Sequence, residues 1–168
     1  RRSIHRRAAS VAAATGASPV EVVGHLARSH DGLPARGVAD LSAEIERDAV
    51  ALLRAAATEL AGGDPDTAAS LLGEAIATAD VGTSERAELA LQRSSALVDA
   101  GRLGEAADVA AAALAPDPPP ELEARLRIRV AEAKLLAGAA GAAIPQLEAA
   151  RALGVLGAPE SAQLLADT

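Results

Sequence analysis

The stretch Leu60-Ala61-Gly62-Gly63-Asp64-Pro65-Asp66-Thr67-Ala68-Ala69 returns twice in this chain. It reappears as Val98-Asp99-Ala100-Gly101-Arg102-Leu103-Gly104-Glu105-Ala106-Ala107, and again as Leu135-Leu136-Ala137-Gly138-Ala139-Ala140-Gly141-Ala142-Ala143. The glycines at 63, 101 and 138 stand 38 and then 37 residues apart. An aliphatic residue sits three before each of them and an Ala five after. A helix–turn–helix unit repeating at this period cannot bury its apolar face alone and must stack on its neighbours. The pattern predicts an all-α, right-handed solenoid of antiparallel helix hairpins, about three repeats long. Such an array is a surface for partners more than a container for chemistry.

Composition supports helices packed closely on one another. Of 168 residues, 46 are Ala, and the chain has no Phe, Trp, Tyr, Met or Cys. Ala has the highest helix propensity, and small side chains let helix axes approach. A core without rings removes less apolar area from water, so a moderately stable domain is expected. The absence of Cys excludes disulfides and thiol chemistry and fits a cytoplasmic protein. No apolar run approaches the ~20 residues of a membrane span. The Ala-, Arg-, Gly- and Pro-rich usage is that of a GC-rich bacterial sequence. A chain opening Arg1-Arg2-Ser3 without Met reads as a portion of a longer protein.

The net charge of −7 is unevenly spread. Residues 1–37 carry six Arg against Glu21 and Asp31, or +4, whereas residues 38–168 carry ten basic and 21 acidic side chains, or −11. An acidic bulk of this kind does not bind DNA by neutralising phosphates.

Reading along the chain, residues 1–15 place Ile4, Ala8 and Val11 on one helical stripe, and Gly16 stops the helix. Ser18-Pro19-Val20-Glu21 opens the next helix with Ser at N-cap, Pro at N1 and Glu at N3; it runs to about Ser29. Gly32, Pro34 and Gly37 mark a linker over 31–40. Residues 1–40 thus form an N-terminal helical pair and linker, with repeats over 41–168. The first repeat covers about 43–80, with helices over 43–61 and, capped by Asp64, from Pro65 to about 79. The second covers 84–118, with Ser84 as cap, a helix to Gly101 and a partner over 103–115. Pro116-Asp117-Pro118-Pro119-Pro120 is expected to be an extended loop. The third covers 121–155, with helices over 121–137 and 140–153, where Pro145 either kinks the last helix or moves its start. Ser161–Ala166 reads as part of a further helix.

The second copy, Gly101-Arg102-Leu103-Gly104-Glu105-Ala106-Ala107 with Leu114 and Pro118, resembles the tetratricopeptide consensus. Ser94, seven before its glycine, occupies that family's small-residue slot, and Ala56 and Ala131 match it in the other copies. The family's aromatics are replaced by aliphatics or Ala, and Arg93 stands in a normally apolar slot. Upstream, Ile4-His5-Arg6-Arg7-Ala8-Ala9, then Val23-Gly24-His25-Leu26-Ala27, then Ala49–Ala57 and Gly63-Asp64-Pro65, occur in the order seen in large ATP-binding LuxR-type transcriptional regulators of the MalT-like group. This resemblance implies a helical-repeat region between a preceding ATPase and a following helix-turn-helix domain. It makes those adjacent domains of the parent chain partners of the fragment.

Catalytic equipment is not found. Lys134 is the only lysine and follows Glu132-Ala133, so no Walker phosphate loop is present and no cofactor is expected in this fragment. There is no metal-ligand motif; His25 and His30 are five apart, off a common helix face, and with His5 are read as surface or packing residues. No nucleophile–base pair has a usable spacing. Glu85/Glu88 and Glu121/Glu123 are acids of first helical turns, where the dipole favours them. The Arg1-Arg2-x-x-His5-Arg6-Arg7 opening is read as a solvated or docking face, without direct nucleic-acid binding. Aligning the copies on their glycines puts Leu53, Leu91 and Ile128 in one row and Arg54, Gln92 and Arg129 in the next. Arg125 lies one turn before Arg129. An aliphatic strip beside guanidinium groups suits an acidic peptide, a partner protein or a small effector on the concave face. The Lys and Asn set of peptide-clamping tetratricopeptide domains is missing, which counts against a C-terminal-peptide binder. The expectation is a non-catalytic interaction or signal-sensing fragment, with homodimerisation through exposed end faces as a further expectation. The alternative is a free-standing adaptor unconnected with transcription.

Overall fold

A computed structural model of the chain describes residues 8–9, 11–29, 49–77, 82–115 and 117–155. The basic opening, the 31–40 linker, the start of the 43–61 helix and Ser161–Ala166 lie outside the described residues. Those described are helices and short links: α1 (Pro19–Ser29), α2 (Ala49–Leu60), α3 (Pro65–Ala77), α4 (Thr83–Asp99), α5 (Leu103–Ala112), α6 (Pro120–Leu136) and α7 (Ala140–Ala152). The chain forms two units, Arg1–Val81 and Gly82–Thr168.

In the first unit, residues 11–14 end a helix that turns at Gly16 into α1. Ser18 caps α1 as its spacing predicts, its Oγ accepting from the Glu21 amide at 3.3 Å. α1 packs on α2, and α2 forms a hairpin with α3. The α3 start is fixed by Asp64, whose carboxylate accepts from the Thr67 amide (3.1 Å) and hydroxyl (2.7 Å). Those two bonds hold the Asp64 carboxyl below its ordinary value. Val22, Val23, Leu26, Leu52, Leu53, Leu71 and Leu72 supply the larger buried side chains of this unit.

The second unit contains two hairpins, α4–α5 and α6–α7. α6 packs against both helices of the preceding hairpin, as a stacked repeat requires. Here the turn glycines do what the repeated phrase implies. Gly101 and Gly138 are left-handed, at φ +74° and +76°. The Gly101 and Arg102 amides donate to the Val98 and Leu97 carbonyls at 2.9 and 2.8 Å. The Gly138 and Ala139 amides do the same to Leu135 and Lys134 at 2.9 and 2.8 Å. This Schellman pair satisfies carbonyls that a helix end otherwise orphans.

The first copy of the phrase closes differently. Its link, residues 61–64, is one residue longer than 100–102 or 137–139, and Gly63 is not left-handed. The same Schellman pair instead occurs at Gly16 (φ +78°), where the Ala17 amide donates to Ala12 at 2.9 Å. Ala9, seven before Gly16, is buried, as are Ala56, Ser94 and Ala131 seven before Gly63, Gly101 and Gly138. The N-terminal pair is therefore turned by the device that turns the later hairpins.

Three boundaries differ from the sequence reading, and at Pro145 one of its two alternatives is found. The α4 helix begins at Thr83 with Gly82 as N-cap and no side-chain cap, so Ser84 is a first-turn residue. α5 ends at Ala112 rather than 115. Pro120 opens α6 at N1, where a missing amide costs nothing, instead of belonging to the loop. Pro145 lies inside α7, whose start stays at Ala140.

Of the 33 buried hydrophobic residues among those described, 19 are Ala. The second helices of the unit-two hairpins bury nothing else: Ala106, Ala107 and Ala110 in α5, Ala143 and Ala150 in α7. Their grip therefore comes from close approach rather than from large apolar side chains. Ser94 is the exception that seals the α4–α5 contact: it is buried, and its hydroxyl donates to the Ala106 carbonyl at 2.8 Å.

Candidate interaction surface

In the second unit α4 and α6 lie against each other and bring part of the predicted row together. Leu91 is in the core, Gln92 and Ile128 are half-buried, and Arg125 is exposed. Arg129 is half-buried and pairs with Glu132 one turn on. Leu53 and Arg54 belong to α2 of the first unit. Leu53 is fully buried and Arg54 half-buried and engaged. The aliphatic members of the row in its first two copies are thus packing residues and offer a partner no surface. Their spacing of one per repeat is the same for a core row and a binding row, so sequence alone does not separate them.

What remains accessible is concentrated on α6. Arg125 has no ion pair among the described residues. Glu123 takes Arg127 (2.8 Å) and Glu132 takes Arg129. Arg127 also reaches the Gln146 carbonyl oxygen of α7 at 3.3 Å, so its guanidinium ties the last hairpin together. Leu136, at the end of α6, is 58% exposed. The sequence reading passed over Arg127, Gln146 and Leu136. The i,i+4 spacing of Glu123 and Arg127 was the available signal for the first.

A second charged cluster lies where α4 meets α5. Arg102 grips Glu105 through two donors at 2.9 and 2.6 Å, and this holds the Glu105 carboxyl below its usual range, with the Arg93 charge adding to it. Arg93 Nε is buried and has no hydrogen-bond partner among the described residues.

Among the described residues no three potential metal ligands cluster, and no helix is long and apolar enough to cross a membrane.

The helical-hairpin fold has a counterpart among solved structures. MamA (AMB-1) is similar with a TM-score of 0.54 at 20% identity, over 89% of this chain and 97% of the MamA chain. The fold is a tetratricopeptide-like helical repeat. No protein-family model matches the chain. No curated protein matches it either. The TPR-like fold accounts for the Schellman turns and for the small residues at 9, 56, 94 and 131, which let paired helices close on one another.

Proposed function

We propose that this chain is a non-catalytic interaction module, and that the α4–α6 surface of its second unit receives an acid-bearing segment of a partner protein or a carboxylate effector. The observation that carries this reading is Arg125, an exposed guanidinium without an ion pair among the described residues, with half-buried Ile128 three residues on in the same helix. A planar guanidinium binds a carboxylate through two parallel hydrogen bonds, and the adjoining apolar surface adds affinity without charge specificity. Arg129 is a weaker candidate because Glu132 already competes for it. The reading assigns no cofactor and no direct nucleic-acid contact to this fragment, and places it in the cytoplasm.

The order of the upstream phrases supports a finer reading. In it the module is the signal-sensing torso of an ATP-dependent LuxR-type regulator, and effector binding shifts an equilibrium between arrangements of torso and ATPase. The second reading is a free-standing adaptor, unconnected with transcription, that binds a peptide or partner protein. Sequencing outward in the parent gene separates the two: a P-loop upstream and a helix-turn-helix downstream support the regulator, and their absence the adaptor.

The interaction itself is tested by selecting ligands from a peptide library of varied charge and measuring the best by fluorescence anisotropy. Enrichment of Asp- and Glu-bearing sequences, with binding lost on Arg125→Glu at unchanged helicity, is the expected result. Selection indifferent to peptide charge, or unaltered by Arg125→Glu, rejects the proposed surface.

A further inference from the structure

One stripe of α6 stays accessible along most of the helix, and its two ends differ in chemistry. Arg125 and Leu136 both lie inside α6, 11 residues apart. At about 100° per residue that separation returns Leu136 to within about 20° of Arg125 around the helix axis, with Glu132 about 20° to the other side and Arg129 about 40° away. Arg125 is exposed and has no ion pair among the described residues. Leu136 is the most exposed large hydrophobic residue among those described. Between the two, Arg129 and Glu132 pair with each other, so the middle of the stripe carries no net charge. The flanks are closed by packing: Leu126 and Ala133 are buried on one side, Ala124 and Ala131 on the other.

We infer that Arg125 is one end of a two-point site whose other end is Leu136, and that its occupant is an extended segment of a partner protein carrying an Asp or Glu and a large aliphatic residue about five positions apart. This two-point site rests on the acid-receiving role proposed for Arg125 and adds to it a second contact and a distance. At a rise of about 1.5 Å per residue the two positions stand about 16 Å apart, which an extended chain spans in about five residues of ~3.3 Å each. A helical occupant needs as many residues as α6 itself uses. Helices that short are marginal in water and depend on packing of an apolar face, which the Arg129–Glu132 pair denies them in the middle of the stripe. A small carboxylate effector reaches Arg125 and has nothing to place on Leu136. The guanidinium selects the acid through paired hydrogen bonds, and burial of the aliphatic residue against Leu136 supplies the remaining affinity. The two orders of acid and aliphatic residue run the segment in opposite directions along α6.

The test is titration of the isotope-labelled full chain, followed by amide chemical shifts, with synthetic Gly/Ser peptides. Each peptide carries one Glu and one Leu, at separations from one residue to about twelve and in both orders. Every peptide should move the Arg125 amide. Those with the pair about five residues apart should also move the Leu136 amide and bind about tenfold more tightly than the same peptide with Ser for Leu, the gain from partly burying one aliphatic side chain. Leu136→Ser should remove that tenfold gain and leave the affinity of the Ser-for-Leu peptide unchanged. Circular dichroism checks the variant for retained helix, and Leu136→Ala replaces it should helix be lost; the peptide series alone reads the distance without any variant. Binding that requires the Glu and is lost in Arg125→Glu, yet is indifferent to the position of the Leu, overturns the two-point site and leaves the carboxylate site standing. Tightest binding at about eleven residues overturns the extended occupant. Titrations indifferent to the Glu, or unaltered by Arg125→Glu, overturn both.

Discussion

Two glycines three residues apart should respond in opposite directions to the same substitution. Gly101 is left-handed at φ +74°, and a Cβ added there meets no atom within 4 Å. The cost of Gly101→Ala is therefore conformational and not steric. An L-residue in that region is penalised by about 1–2 kcal/mol. The more restricted unfolded chain returns about 0.4–1 kcal/mol of this, leaving a net loss of about 1 kcal/mol. Gly104 lies in the first turn of α5, exposed, with no positive φ and equally open space. There Ala gains helix propensity, reduced near a terminus, and Gly104→Ala should stabilise by about 0.5 kcal/mol. The two variants should differ by about 1.5 kcal/mol, roughly 6–12 °C in the melting temperature of a unit this size. Urea unfolding followed by circular dichroism measures both against the parent chain. Gly101→Asn separates conformation from side-chain loss, because Asn tolerates the left-handed region and should fall between Gly and Ala. A Gly101→Ala variant as stable as the parent, or as stable as Gly104→Ala, would refute the left-handed turn and with it the register of the second hairpin.

Asp64→Ala should lower the stability at pH 7 through loss of the α3 cap. Because folding lowers the Asp64 carboxyl from its ordinary 3.8, its contribution is present above that pH and lost as pH falls through the folded value. The parent and Asp64→Ala should therefore converge in acid, whereas Asp64→Asn keeps a cap without titrating; equal gaps at pH 7 and pH 2 reject the cap. Pro145→Ala should stabilise α7 by about 2 kcal/mol, since it restores an interior amide donor at an exposed position; an unchanged melting curve counts against Pro145 lying inside the helix. Ser94→Ala should destabilise by about 1 kcal/mol and Ser94→Leu by more, from the lost bond to Ala106 and from overpacking respectively; tolerance of Leu rejects the close α4–α5 approach. Amide exchange should be faster in α7 than in α6, because α7 buries two Ala where α6 buries three larger aliphatics, Leu122, Leu126 and Val130; equal protection refutes the weak attachment of the last helix.

The parts of this fold legible in the sequence are those governed by local chemistry. Ser18 and Asp64 announce helix starts because a short oxygen-bearing side chain before Pro has one good use, and both bonds form. The small residues at 56, 94 and 131 could be aligned on glycines because helix contact demands small volume at a fixed phase. The limits appear where the same local text serves two geometries. Gly63 lies in a copy of the phrase around Gly101, with an aliphatic residue three before and an Ala five after in both, yet one additional link residue accompanies a turn without left-handed backbone, while Gly16, in a different phrase, adopts the Schellman turn. A glycine permits a positive φ; the length of the link and the packing of the helices it joins decide whether one is used. The interaction surface follows the same logic at longer range. Helical phase placed Leu53, Leu91 and Ile128 in one row, but the stacking of neighbours sets how much of each side chain remains outside: none of Leu53, little of Leu91 and part of Ile128. Exposure thus rises from copy to copy along a row that the sequence renders as equivalent. In the second unit the accessible chemistry accordingly collects on α6, the first helix of the last hairpin, with Arg125 and Leu136 as its polar and apolar ends.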